Sequence, residues 1–109
     1  GNTGLTLIVF LSYSGRWDIE QAAERFAAAG APEGKFSTFL ATADIPDPDL
    51  LIRTSGEKRI SNFLLWQCAY TEFYFTNTLW PDFRKNEFRQ ALDDFASRQR
   101  RFGKTGDQI

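Results

Sequence analysis

The sequence predicts an α/β fold in which a small parallel sheet is flanked by helices. Apolar runs of strand length, at residues 5–12, 50–53 and 72–76, alternate with segments whose apolar residues have helical spacing. Such alternation favours parallel strands joined by helical connections. We therefore expect a layered sheet of about three strands, and the 109 residues fit a single domain.

The first half begins with the continuous apolar run LTLIVFLS at residues 5–12, which is typical of a strand buried on both faces of a parallel sheet. Asp18 is the expected N-cap of a helix over EQAAERFAAA, and Gly30 is expected to close that helix. A short helix should follow over residues 35–41. A doubly buried strand needs neighbours at both edges, so we expect part of the sheet to lie outside these 109 residues.

The second half contains the other two predicted strands. Pro46 and Pro48 precede a strand at residues 50–53, and a polar loop at 54–61 follows it. The aromatic segment after the loop predicts a helix over about residues 62–71. Alternation in EFYFT then predicts a strand at 72–76, with Phe73 and Phe75 on one face.

A last helix is predicted over about residues 85–101. Its apolar positions recur at helical spacing and predict a core-facing stripe: Phe88, Ala91, Leu92, Phe95 and Phe102. Four cations follow at its end: Arg98, Arg100, Arg101 and Lys104. We interpret them as complementing the helix dipole, with contact to a membrane surface as the weaker alternative.

Composition excludes several classes of function. A formal net charge of −1 gives no general attraction to nucleic acid, so no nucleic-acid partner is expected. The absence of His removes the commonest general base, the commonest metal ligand and every Ser-His or Cys-His nucleophile. The single Cys68 cannot form an internal disulfide, which fits a reducing compartment, and the first apolar run is too short to span a bilayer. A soluble, cytoplasmic protein is expected.

The polar loop after the second predicted strand carries a candidate anion site. Arg53, Arg59 and Ser61 lie between the strand at 50–53 and the helix predicted near residue 62. Guanidinium groups and a helix N-terminus bind phosphate or diphosphate well. Structural salt bridges and an N-cap serine would produce a similar pattern, so spacing alone leaves the two interpretations open.

Several stretches of this sequence strongly resemble the cis-prenyltransferase (undecaprenyl diphosphate synthase) family. They are PDPDLLIRTSGEKRISNFLLWQ, AYTEFYF and LWPDF in the centre, TGLTL and GRWDI near the start, and RRFG near the end. Family members are roughly twice this long, and their first half carries a magnesium-binding DGNxR-type motif that does not occur here. The resemblance implies that residues 1–109 are the C-terminal portion of a single catalytic domain, inactive alone.

The resemblance also implies roles for individual residues. Arg53, Arg59 and Ser61 match the residues that bind the diphosphate of isopentenyl diphosphate. Glu72 matches a glutamate that helps to organise Mg²⁺ near the subunit interface. Because a carboxylate would repel a diphosphate, Glu57 is better placed to orient the arginines than to bind the ligand.

The implied parent enzyme would condense isopentenyl diphosphate onto an allylic diphosphate such as farnesyl diphosphate, with Mg²⁺ as cofactor. It would act as a homodimer whose contact includes the aromatic segment from Phe63 to Trp80, with peripheral membrane contact as a further expectation. Two alternatives remain open: a non-catalytic interaction module and a stand-alone binder of phosphate ligands.

Overall fold

The computed structural model describes residues 4–103 and has the predicted α/β architecture. Within that range the sheet has two strands rather than three. The elements, in chain order, are helix α1 (Gly15–Ala28), a 3-10 turn (Phe36–Phe39), strand β1 (Leu50–Arg53), strand β2 (Glu72–Phe75), a second 3-10 turn (Trp80–Asp82) and helix α2 (Lys85–Ser97).

The two strands are parallel neighbours. Leu50 lies opposite Glu72 and Arg53 lies opposite Phe75. The predicted bounds of β1 are confirmed, and β2 ends one residue before the predicted bound. The rings of Phe73 and Phe75 are 5.9 Å apart, in accord with a shared face.

The strand predicted at residues 5–12 is wrong. Residues 5–10 have no regular secondary structure and pair with neither β1 nor β2. Leu5 and Leu7 are 96% and 84% exposed instead of buried. A strand requires partners for its backbone N–H and C=O groups, and the described part of the chain supplies none beside this run.

Helix α1 begins three residues earlier than the predicted N-cap. Ser14 is the N-cap, and its Oγ accepts a hydrogen bond from Trp17 N at 3.2 Å. Asp18 therefore lies in the first turn, where it is buried. Gly30 follows the C-cap with a φ of +86°, which fits its predicted role of closing the helix.

The helix predicted over residues 62–71 is also wrong. Ser61, Asn62 and Leu64 have φ values of +51°, +66° and +46°, in the left-handed region. A right-handed helix cannot contain such residues, and this segment folds into successive turns instead. This segment directly follows the polar loop that carries the candidate site.

Helix α2 begins where predicted but ends at Ser97, four residues before the predicted end. Arg98 has extended backbone geometry, which breaks the helix. Ala91 is fully buried, whereas Phe88 and Leu92 of the predicted stripe remain partly exposed. Lys104 lies outside the described residues.

The buried apolar core is small and consists of Ala22, Leu40, Leu64, Cys68 and Ala91. The short helix predicted at 35–41 is present as a 3-10 turn over Phe36–Phe39. No helix among residues 4–103 is long and apolar enough to cross a membrane.

Candidate functional site

The loop after β1 lies at the carboxyl edge of the sheet. Arg53 is the last residue of β1, and the chain turns at Ser55 and Gly56, both with positive φ. Ser55 N donates to Thr78 O at 2.8 Å and Gly56 N donates to Thr76 O at 2.9 Å. These bonds attach the start of the loop to the segment that follows β2. Ligands of α/β folds commonly bind at this edge of a parallel sheet.

Two of the predicted ligand residues line one recess at this edge. The arginine recess has a volume of about 130 Å³ and is lined by Leu51, Ile52, Arg53, Arg59, Ile60 and Phe63. Arg53 Nη1 also donates to the backbone oxygen of Arg59 at 3.1 Å. The structure therefore brings Arg53 and Arg59 together, six positions apart in the chain.

Glu57 forms an ion pair with Arg59. Both side chains are substantially exposed, so the pair contributes little to stability and can rearrange around a ligand. Asp49, the residue before β1, pairs with Arg100 at 2.7 Å and not with Arg53 or Arg59. The contact of Glu57 with Arg59 accords with a supporting position beside the recess.

Ser61 is placed differently from the prediction. It is exposed, has a left-handed backbone and is absent from the lining of the arginine recess. Because no helix begins at Asn62, the predicted contribution of a helix N-terminus to an anion site is wrong. Among the residues that line the recess, Arg53 and Arg59 carry the positive charges that attract an anion.

Glu72 lies at the opposite end of the sheet from the arginine recess. It is opposite Leu50 at the start of β1, whereas Arg53 is three residues further along. At roughly 3.3 Å per residue, the separation along the strands is about 10 Å. Glu72 instead faces Arg98, whose Nη1 is 3.7 Å from Glu72 Oε1.

Residues 4–103 contain no group of three or more His, Cys, Asp or Glu side chains placed to hold a metal ion. Mg²⁺ binds through oxygen ligands in near-octahedral geometry. Glu72 offers one carboxylate, and that carboxylate faces a cation. The described residues by themselves therefore do not fit a magnesium site.

Two of the cations at the end of α2, Arg98 and Arg100, contact residues in or next to the sheet, which sequence reasoning missed. Arg100 donates from Nη1 to Asp49 Oδ1 at 2.7 Å and from Nη2 to the Tyr70 backbone oxygen at 2.8 Å. Its guanidinium lies 4.5 Å from the centre of the Phe102 ring. The sequence signal for these contacts is the run of cations at the end of the predicted helix, a pattern that also fits complements of the helix dipole.

Asp18 is the centre of a buried hydrogen-bond network that sequence reasoning also missed. Its Oδ2 accepts from Tyr13 Oη at 2.7 Å and from Gln67 Nε2 at 3.2 Å. Its Oδ1 accepts from Ala41 N at 2.8 Å and from Gln21 Nε2 at 3.0 Å. The donors at 41 and 67 are far away in the sequence, so no local pattern reveals them.

These contacts determine the charge state of the network. Burial alone would raise the pKa of Asp18, but the hydrogen bonds from Ala41, Tyr13, Gln67 and Gln21 outweigh it, and the pKa lies below its usual value. Burial and the neighbouring Asp18 carboxylate raise the pKa of Tyr13 above its usual value. At neutral pH the network thus holds a carboxylate and a protonated tyrosine.

A family model and individual relatives of known name point to the same protein family. A family model of undecaprenyl diphosphate synthases (Prenyltransf) matches residues 1–103. An isoprenyl transferase from Chlorobaculum tepidum is 53% identical over 117 residues, covering 99% of this chain and 44% of that protein. A ditrans,polycis-undecaprenyl-diphosphate synthase from Pseudomonas putida, (2E,6E)-farnesyl-diphosphate specific, is 56% identical and covers 100% of this chain and 47% of that protein.

Two solved structures are similar to this chain in both fold and sequence. A probable undecaprenyl diphosphate synthase from Campylobacter jejuni has a TM-score of 0.77 and 41% identity, covering 86% of this chain and 45% of that one. Lavandulyl diphosphate synthase from Lavandula x intermedia, in complex with dimethylallyl diphosphate, has a TM-score of 0.76 and 43% identity, covering 86% and 44%. The chain spans about half the length of the relatives it matches.

Proposed function

Because this chain belongs to the undecaprenyl diphosphate synthase family of prenyltransferases, we propose that it forms part of an isoprenyl transferase. The proposed reaction condenses isopentenyl diphosphate onto an allylic diphosphate to make a cis-polyprenyl diphosphate. A relative specific for farnesyl diphosphate and a structural neighbour bound to dimethylallyl diphosphate support an allylic co-substrate.

The arginine recess is the observation that carries this proposal. Arg53 and Arg59 both line it, at the carboxyl edge of two parallel strands. A guanidinium group presents a planar fork of N–H donors that matches phosphate oxygens, and it remains charged at every physiological pH. We propose that these two arginines bind the diphosphate of isopentenyl diphosphate and that Glu57 orients Arg59. Ser61 lies outside the lining of the recess, two residues after Arg59, and we propose that its hydroxyl reaches the bound diphosphate from the loop.

Binding at this recess would orient the homoallylic substrate. The double bond of isopentenyl diphosphate would then face the allylic carbon, whose bond to its diphosphate breaks as the new carbon–carbon bond forms. A proton is lost from the resulting cation to restore the double bond. The role of the two arginines is to hold the nucleophile in place, which lowers the entropic cost of bringing two reactants together.

We propose that residues other than 4–103 bind Mg²⁺ and the allylic diphosphate, because residues 4–103 do not form a metal site. Glu72 would contribute one carboxylate to such a site. Since Glu72 lies at the other end of the strands from Arg53, we propose that it serves the site of a neighbouring subunit. We accordingly expect no condensation by the 109-residue chain on its own.

A homodimer is part of this proposal. Trp66, Tyr70 and Trp80 belong to the aromatic segment from Phe63 to Trp80 and are exposed, from 45% for Trp66 to 70% for Trp80. Exposed aromatic patches of this kind mark interaction surfaces. Two-fold dimers are the commonest oligomers, so this segment is proposed as the dimer contact.

The diphosphate-binding role is tested by isothermal titration of isopentenyl diphosphate and inorganic pyrophosphate into the 109-residue chain. Arg53→Ala and Arg59→Ala should each weaken binding by roughly 10- to 100-fold, because each removes a charge-assisted hydrogen-bond donor. Arg89→Ala is the matched control, since it removes the same charge from the exposed surface of α2. Circular dichroism verifies folding of each variant.

The outcomes separate the proposal from its alternatives. An equal loss of affinity in Arg89→Ala would show non-specific electrostatic binding and contradict the recess. Tight binding of inorganic pyrophosphate, with no preference for isopentenyl diphosphate, would indicate a stand-alone phosphate binder. No binding by a folded chain would indicate a non-catalytic interaction module.

A further inference from the structure

Asn62 connects the end of the polar loop to the beginning of α1 through three hydrogen bonds. Its backbone oxygen accepts from Gly15 N at 2.7 Å, and its side-chain Oδ1 accepts from Arg16 N at 2.9 Å. Its Nδ2 donates to Ser14 Oγ at 2.8 Å. The two partners are 46 to 48 residues apart in the chain, so this is a tertiary contact that also caps a helix.

These bonds satisfy the first turn of α1. The amides of Gly15 and Arg16 donate to Asn62, and that of Trp17 donates to Ser14 Oγ. The first N–H groups of a helix otherwise have no partner within the helix. Since they are occupied here, the start of α1 has no free donors for a ligand, and its bonds serve to hold residue 62.

Asn62 makes this contact from a left-handed backbone conformation. Its φ of +66° lies in the left-handed region, which asparagine and glycine tolerate better than other residues. Ser61 before it is also left-handed, at +51°. Together these residues turn the chain sharply just after Arg59, where a helix would have sent it in another direction.

The contact has no spare space. A Cβ atom added at Gly15 would lie 2.9 Å from the Asn62 oxygen and 3.1 Å from the Leu65 backbone nitrogen. Contacts of that length with backbone atoms cannot be relieved by a side-chain rotation. Gly15 therefore allows α1 to approach residues 62–65 this closely, and Asn62 cannot shift toward the helix.

The polar loop is consequently fixed at both ends. Ser55 and Gly56 attach its beginning to Thr76 and Thr78, and Asn62 attaches its end to α1. Arg59 lies between these two attachments, three residues before Asn62. We propose that Asn62 is a positioning residue, whose bonds to α1 hold Arg59 in the arginine recess.

The consequence for ligand affinity rests on the diphosphate-binding role proposed above, whereas the placement of Arg59 does not. Three substitutions separate backbone from side-chain effects. Asn62→Gly keeps access to the left-handed conformation and removes both side-chain bonds. Asn62→Asp keeps an acceptor for Arg16 N and a second oxygen for the Ser14 hydroxyl. Asn62→Ala removes the bonds and strains the backbone as well.

The test combines NMR of the 109-residue chain with titration of inorganic pyrophosphate at about 0.15 M salt. Asn62→Gly should shift the Nε–H resonance of Arg59, speed amide exchange at Gly15 and Arg16, and weaken pyrophosphate binding by about fivefold or more. Asn62→Asp should restore the resonance and the slow amide exchange at Arg16, whereas its affinity is not expected to recover, because the added carboxylate repels pyrophosphate. Asn62→Ala should be at least as impaired as Asn62→Gly.

Thr71→Val is the control for a general loss of stability. It removes the hydrogen bond from Thr71 Oγ1 to the Pro48 oxygen, 2.7 Å long, at the far end of the strands. An equal loss of affinity in Thr71→Val, or an unchanged Arg59 resonance in Asn62→Gly, overturns the positioning role. If the wild-type chain binds no pyrophosphate, the proposed function fails, and the Arg59 resonance still decides the role of Asn62.

Discussion

At the scale of single residues, Asp18 shows how a buried carboxylate is accommodated without a cation. It is fully buried, and its two oxygens accept four hydrogen bonds from donors in three parts of the chain. Burying an unpaired charge is costly unless hydrogen bonds replace its hydration. The network thus joins α1 to the turn at 41–42 and to Gln67.

Replacing Asp18 should destabilise the fold, and the pH dependence should reveal its charge. Asp18→Ala leaves several buried donors without an acceptor, so we expect a loss of about 2–3 kcal/mol in the free energy of unfolding. Because the folded-state pKa is lowered, the carboxylate stabilises the fold above its unfolded pKa of about 3.9. That stability is lost as pH falls through the folded pKa.

Asp18→Asn removes the titrating carboxylate. The free energy of unfolding should therefore fall less steeply with decreasing pH in Asp18→Asn than in the wild type. Gln67 Oε1 has no partner in the network and is available to accept from the new amide. Urea unfolding between about pH 2.5 and 7 measures the effect, and Asp93→Asn on the exposed face of α2 is the control. If the free energy of unfolding falls equally steeply at acidic pH in the wild type and in Asp18→Asn, Asp18 is not the group responsible.

At the scale of elements, the segment after α2 is fastened to the starts of both strands. Arg98 forms ion pairs with Asp94 at 2.6 Å and with Glu72 at 3.7 Å. Arg100 binds Asp49, which precedes β1, and the Tyr70 oxygen, which precedes β2. The chain thus runs past the end of α2 and covers the amino edge of the sheet.

Arg100→Ala should release this segment. The substitution removes two charge-assisted hydrogen bonds and the stacking of the guanidinium on Phe102. We therefore expect the free energy of unfolding to fall by about 1–2 kcal/mol. Arg100→Lys should recover little of this, since an ammonium cannot reproduce the fork or the stacking. Chemical denaturation with Arg89→Ala as control provides the measurement. Full recovery by lysine would show that charge alone matters.

The sequence predicted elements well where local pattern and tertiary contact agree. The bounds of β1 and the start of α2 follow from proline breaks and apolar spacing close by. The helix expected over 62–71 fails because Asn62 is held in a left-handed conformation by residues 14–16, a contact that no local window contains. The proximity of Arg53 to Arg59 was predictable, since the end of β1 and the loop after it are only six positions apart, whereas the position of Ser61 outside the lining of the recess was not.

At the scale of the whole molecule, much apolar surface lies outside the core. Leu5 and Leu7 are almost fully exposed, and Tyr70 and Trp80 are exposed by 58% and 70%. Two surfaces therefore compete as contacts: the N-terminal run at residues 5–11 and the aromatic segment from Phe63 to Trp80. The proposed dimer uses the second.

We expect the chain to associate in a concentration-dependent manner, and light scattering coupled to size exclusion measures this. Trp80→Ser should weaken association, because it removes the most exposed aromatic side chain of the proposed contact. The double variant Leu7→Lys, Leu11→Lys is the control for the N-terminal run. If association survives in Trp80→Ser and disappears in the double variant, the contact is the N-terminal run and not the aromatic segment.

The capping of α1 by Asn62 has a consequence for biosynthesis. The acceptors for the Gly15 and Arg16 amides belong to residue 62, which is synthesised later than all of residues 14–28. At roughly 5–20 residues per second, the nascent helix waits for several seconds with its first turn incompletely bonded. The speed of translation between residues 28 and 62 therefore sets how soon the first turn of α1 can be completed.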